Sequence, residues 1–190
     1  MQCGRVMNHS YRAAGLGAAV LIAAVLLVSV IVVVSGAYNI AADDPHLGPT
    51  RDLIEYMRDR SVAVRSAAIA VPKLTDKTMI ADGASDYDEM CTSCHLAPGM
   101  AENEMRPGLN PKPPILYQAP ADDPAEQFWI VKHGLKMTGM PAWGVTHSDA
   151  EIWNIVAFLQ KLPSLTPHQY RAEVAAAAGH HDMDHMDMAH

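Results

Sequence analysis

The chain has 190 residues, 49% of them apolar and 6% aromatic, with a formal net charge of -7 at pH 7. That length holds one small domain plus accessory segments. The acidic balance and the lack of a basic run exclude nucleic acid as a partner class.

The first element is a membrane-spanning candidate. Residues 13–37 carry no charge and are dominated by Leu, Val, Ile and Ala, and about 20 such residues cross a bilayer core. Arg5 and Arg12 precede the run, whereas Asp43 and Asp44 follow it. The positive-inside bias assigns residues 1–12 to the cytoplasm and the chain after about residue 38 to the far side. Ser35-Gly36-Ala37 also has the small residues of a signal-peptide cleavage site. The run exceeds the roughly 7–15 residues of a signal core, which favours an uncleaved anchor. Cys3 lies ahead of the run and receives no role.

Residues 38–80 read as a linker and an amphipathic helix. Two prolines mark Ile40–Pro49 as linker. A helix is predicted from Thr50 to about Ala70, with Leu53, Ile54, Met57, Ser61, Val64 and Ala68 on one side. Arg51, Arg58, Arg60 and Arg65 are mixed with Asp52, Glu55 and Asp59. Such a helix either packs on the domain that follows or meets a partner helix or lipid headgroups. Pro72 ends it.

A second helix, Ala84 to about Thr92, runs into Cys91-Thr92-Ser93-Cys94-His95, with Asp82 or Ser85 as its cap. Two cysteines, two intervening residues and a histidine form the spacing of a c-type haem attachment. One helical turn presents both sulfurs to the same porphyrin edge, where each can form a thioether. His95 then offers an imidazole to the iron as proximal ligand. A zinc site is a weaker reading, because Cys94 and His95 are adjacent and no second cysteine pair exists.

Prolines and glycines punctuate the stretch after His95, at Pro98-Gly99, Pro107-Gly108, Pro111 and Pro113-Pro114, as in a loop wrapped around a rigid object. Ala125–His133 is a short predicted helix with Phe128 and Trp129 facing inward. The segment Lys136-Met137-Thr138-Gly139-Met140-Pro141 supplies the candidates for the second axial ligand. Met140 is preferred to Met137: Gly139 permits close backbone approach and Pro141 fixes the chain after it. A thioether on the far side would make a six-coordinate centre of raised potential. Methionine also fills core gaps, so residue type alone does not decide.

Ser148-Asp149-Ala150-Glu151 is a capping box, followed by Ile152, Ile155, Val156 and Leu159 at helical spacing and by Pro163. Thr166-Pro167-His168-Gln169 repeats the signature and starts a helix, residues 166–178, that Gly179 stops. No strand is predicted, and the part beyond the anchor reads as all-α. Residues 179–190 form a His/Met-rich tail that cannot build a core and is expected to be disordered. Its His180, His181, Met183, His185, Met186, Met188 and His190 suit labile copper, thioether selecting Cu(I).

Taken in order, the helix, Cys91-Thr92-Ser93-Cys94-His95, Pro113-Pro114, Gly139-Met140-Pro141-Ala142 and a last helix with Trp153 resemble a class I mono-haem cytochrome c in a membrane-anchored bacterial form. The resemblance covers residues 81–165. It implies one covalent haem c with His95 and Met140 as axial ligands. It also implies crossed first and last helices, for which Tyr87 and Trp153 are the candidate contacts. A proline, Pro113 or Pro114, would support the proximal histidine. By this likeness the anchor passes once through a bacterial inner membrane and the haem domain is periplasmic.

The implied function is one-electron transfer without substrate chemistry, by a free-standing carrier or a subunit of an oxidoreductase complex. The expected partners are the membrane and redox proteins: a quinol-oxidising complex, a dehydrogenase or a terminal oxidase. Lys112, Lys132 and Lys136 could form a docking patch. One alternative is a haem enzyme or gas sensor with a displaceable Met140. Another is a copper-handling redox protein that uses the tail.

Overall fold

The computed structural model describes the backbone of residues 3–187 and the side chains of residues 11–177. Seven α-helices follow one another without a strand among the described residues. They are α1 (Cys3–Ser35), α2 (Gly48–Ser66), α3 (Lys77–Met90), α4 (Thr92–His95), α5 (Pro124–His133), α6 (Asp149–Lys161) and α7 (Pro167–Asp187). The chain divides into two units, Met1–Asp44 and Pro45–His190.

The first unit is the single helix α1. Its 25-residue stretch Tyr11–Ser35 is long and apolar enough to cross a membrane. At 1.5 Å per residue it extends about 37 Å, against a hydrocarbon core of about 30 Å.

The second unit is built on the crossing of α3 and α6. An added Cβ at Gly83 would overlap the backbone carbonyl of Asn154, so only glycine lets the two helices approach this closely. One turn further on, Tyr87 is fully buried, with its ring 5.5 Å from that of Phe158. Tyr87 therefore serves the crossing as expected, whereas the aromatic partner of Trp153 is on α5. Trp153 instead stacks on Phe128 of α5, centroids 4.2 Å apart. Ile152, Ile155, Val156 and Leu159 are all buried, as their spacing requires. The Ser148 capping box closes in both directions: the Glu151 amide donates to Ser148 Oγ at 3.3 Å and the Ser148 amide to Glu151 Oε2 at 2.6 Å.

Three boundaries differ from the sequence reading. Helix α3 starts at Lys77, because Asp76 rather than Asp82 or Ser85 caps it, accepting from the amides of Thr78 and Met79. Helix α2 ends at Ser66 rather than near Ala70. Its buried residues are Val62 and Ser66, while the expected inner residues Leu53, Met57 and Val64 are exposed. The helix packs on α5 through its less apolar side, so packing against α5, not the densest apolar stripe, decides its orientation. Helix α7 continues past Gly179 to Asp187. A helical glycine costs only about 1 kcal/mol, which is not by itself a stop.

Helix α7 extends the core over α3. Tyr170 is buried against Tyr87 and Phe158, and its hydroxyl donates to Asp88 Oδ1 at 2.6 Å. The Thr166 and Gln169 box starts this helix as the sequence indicates.

Candidate functional site

Local sequence places the Cys-His turn. Cys91 ends α3 and begins α4, its carbonyl accepting from the amides of Cys94 at 3.1 Å and His95 at 2.8 Å. Helix α4 is a single turn with Cys91 as its N-cap, so both thiols and the imidazole emerge from about one helical turn. The chain then reverses at Leu96, whose φ of 59° is unfavourable for a residue with a Cβ. The buried Tyr87 hydroxyl holds this bend by donating to the Leu96 carbonyl at 2.6 Å. Both cysteines are free thiols. Burial first, then the charge of Asp86, pushes the Cys91 thiol up to about 12.

The Nδ1–H of His95 donates to the Pro114 carbonyl at 2.9 Å. That bond fixes the tautomer and leaves Nε2 with its lone pair. Burial lowers the pKa of His95, outweighing the Pro114 bond, and the nearby Arg106 charge lowers it further. The neutral ring is the form that binds a metal. Of the two prolines, Pro114 meets the histidine.

Pro113 has another partner, which sequence reading missed. Arg106 is 4% exposed and binds three segments. Its Nε donates to the Cys94 carbonyl at 3.1 Å, its Nη2 to the Pro113 carbonyl at 2.6 Å, and its Nη1 to Glu102 at 2.5 Å. Asn103 adds a bond to the Ser93 carbonyl. Arg106 thus fastens the proline loop to the Cys-His turn. Hydrogen bonds from Lys112 first, then Arg106, hold the Glu102 carboxyl below its ordinary range. Charged hydrogen bonds contribute about 1.5–3 kcal/mol each when the partner stays buried. Arg106→Ala is therefore expected to lower stability by about 2–4 kcal/mol. A denaturation midpoint equal to that of the parent would show that the clamp is idle.

A cavity of about 820 Å³ opens between these walls, within the roughly 300–1,000 Å³ usual for ligand sites. Cys91, Cys94 and His95 line one side, and Met140 and Trp143 line another. Ile130, Val131 and Leu159 supply apolar surface from α5 and α6. Asp123 starts α5 by accepting from the amides of Ala125 and Glu126, which sets this wall. Phe128 is buried there, whereas the half-buried Trp129 packs against His133.

The methionine segment is held by its own backbone. The Leu135 amide donates to the Met140 carbonyl at 3.2 Å, and the Met140 amide to Thr138 Oγ1 at 3.0 Å. Met140 is half-buried and faces the cavity. Met137 is 73% exposed, adopts φ 59° and does not line it. The glycine that the segment needs is not Gly139, whose added Cβ would meet only the Leu109 side chain. It is Gly134, at φ 63°, where a Cβ would lie 2.8 Å or less from the backbone of Met140, Pro141 and Ala142.

Other sequence candidates lie apart from this cavity or are already paired. Lys112 and Lys132 form ion pairs with Glu102 at 2.7 Å and Asp149 at 2.6 Å, which leaves a free docking patch reduced to Lys136. The tail residues His180, His181, Met183, His185, Met186, Met188 and His190 lie outside the described side chains. Among the described residues, no group of three or more His, Cys, Asp or Glu side chains converges as a metal site.

The residues fit a haem c. Two free thiols and a neutral imidazole stand on one side of an apolar cavity, and a thioether stands on another. Residues 78–159 match the family described as Cytochrome C oxidase, cbb3-type, subunit III. No curated protein and no solved structure matches the chain. The matched segment contains the Cys-His turn, the proline loop, Met140 and the α3–α6 crossing, and leaves α1, α2 and α7 outside. Residues 78–159 are a c-type cytochrome domain, a match that supports a haem-based electron carrier, and an apolar helix lies ahead of it in the chain.

Proposed function

We propose that this protein is a membrane-tethered one-electron carrier with a single covalent haem c. Cys91 and Cys94 form the thioethers, and His95 and Met140 are the axial ligands. The bound group supplies a ferric/ferrous couple. The observation that carries the reading is that all four side chains face one cavity, with His95 already oriented by Pro114. The protein's part is to fix both ligands, exclude water with Ile130, Val131 and Leu159, and keep the His95 ring neutral. Two ligands held by separate backbone networks favour electron transfer over ligand exchange.

Arg5 and Arg12 ahead of the apolar run, with Asp43 and Asp44 behind it, support a single inner-membrane pass and a periplasmic haem domain. The matched family's description is that of an oxidase subunit, which supports a terminal oxidase as acceptor. A quinol-oxidising complex or a dehydrogenase is the fitting donor.

Met140→Ala is expected to abolish the red-region sulfur-to-iron charge-transfer band of the oxidised protein, whereas Met137→Ala leaves it intact. The reverse pattern would transfer the ligand to Met137 and refute the assignment. Protein matured in a host competent for haem ligation, yet without added porphyrin mass, would refute the carrier reading itself.

A further inference from the structure

Helix α2 lies outside the matched cytochrome segment, yet it belongs to the same structural unit and forms a further wall of the cavity. Val62 and Ala63 bring apolar surface to that wall, and Arg58 and Arg60 bring charge. We propose that α2 is a haem-capping helix and that Arg60 binds the carboxylates of the cofactor, stabilising its reduced form. This rests on the haem reading above.

The chemistry of the cofactor gives the orientation. Thioethers form at two adjacent pyrrole rings, and the two propionates sit on the other pair. Anchoring one edge at Cys91 and Cys94 therefore directs the carboxylates toward the far edge. Helix α2 makes its main packing contact with α5, which places it on the α5 side of the cavity. Arg60 is solvent-exposed and lines the cavity, so it stands at the rim. A pair of ionised carboxylates can stay hydrated there while meeting a cation.

The charges around this rim single out Arg60. Arg58 donates to Asp59 at 2.8 Å, and Lys112 is paired with Glu102 at 2.7 Å. Arg60 has no ion pair among the described residues. Asp122 and Glu126 line the same cavity from the α5 side. Without Arg60, two further carboxylates would enter a rim already negative, and that added negative charge would favour ferric over ferrous iron. Guanidinium is also suited to carboxylate through its planar fork of donors.

The test is a redox titration of the full-length holoprotein in detergent, with haem content confirmed by pyridine haemochrome and mass. Arg60→Gln is expected to raise the ferric-to-ferrous ratio at a fixed applied potential about tenfold, equal to about 59 mV for one electron. Arg60→Lys should recover most of the loss, and Arg51→Gln, exposed and away from the cavity on the same helix, should not move the potential. An unchanged potential in a red Arg60→Gln protein overturns the assignment alone. An equal shift in Arg51→Gln also overturns it, by showing a general charge effect. A colourless parent protein overturns the haem reading and this assignment together.

Discussion

Gly83→Val is expected to prevent the cytochrome unit from folding stably. The reason is backbone against backbone. A Cβ at residue 83 would occupy the space of the Asn154 carbonyl, a helical group that no rotamer change can move aside. Overpacking that flexible side chains can absorb costs about 1–3 kcal/mol. Here α3 and α6 must separate, which withdraws Tyr87 from Phe158 and opens the core along the whole crossing. A loss above about 3 kcal/mol follows, a large share of a domain's typical 5–15 kcal/mol. Chemical denaturation followed by circular dichroism measures it. Gly83→Ala should already lower the midpoint, and a valine variant with an unaltered midpoint would mean that the helices do not meet at this residue.

What could be read from the sequence was what is local in the chain. The Cys91–His95 turn, the Ser148 and Glu151 box and the Thr166 and Gln169 box each lie within one helical turn, so spacing alone defines them. The inner face of α6 was legible because its apolar residues are dense and regular. Where the answer depended on a distant segment, pattern failed. The Asp76 cap is not singled out by spacing, because Asp82 and Ser85 inside the same helix are equally plausible caps by residue type. The α2 face departs from its pattern because the richest apolar stripe, Leu53 to Val64, is not the side that meets α5.

The hidden parts of the site share a cause. Arg106 is an unremarkable basic residue in a loop until the loop returns to the Cys94 and Pro113 carbonyls. Its signal in the sequence was only that a lone arginine sits among prolines and glycines that leave carbonyls unpaired. Trp153 was assigned to the crossing by the resemblance, but the geometry gives that place to Gly83 and Phe158 and sends Trp153 to α5. Glycine carries little information about which neighbour it admits. The same holds for Gly134, whose partner is six residues further along the chain.

Gly134→Ala should show how far this one position controls the methionine side of the cavity. At φ 63° an alanine is strained by about 1–2 kcal/mol before any contact is counted. Its Cβ would also press on the backbone carbonyl of Met140, which accepts from the Leu135 amide, and on the Pro141 and Ala142 backbone beside it. The segment must then shift outward as a unit, because Thr138 and Leu135 tie Met140 to it. The expected loss is about 2–4 kcal/mol, from strain plus overlap. If Met140 is the axial ligand, its charge-transfer band should weaken although the methionine itself is intact. Thermal melts and the red-region spectrum of the same sample separate the two effects. A lowered melting temperature with an unchanged band would mean that the iron–sulfur bond holds the segment in place, and an unchanged melting temperature would mean that Gly134 carries neither strain nor contact.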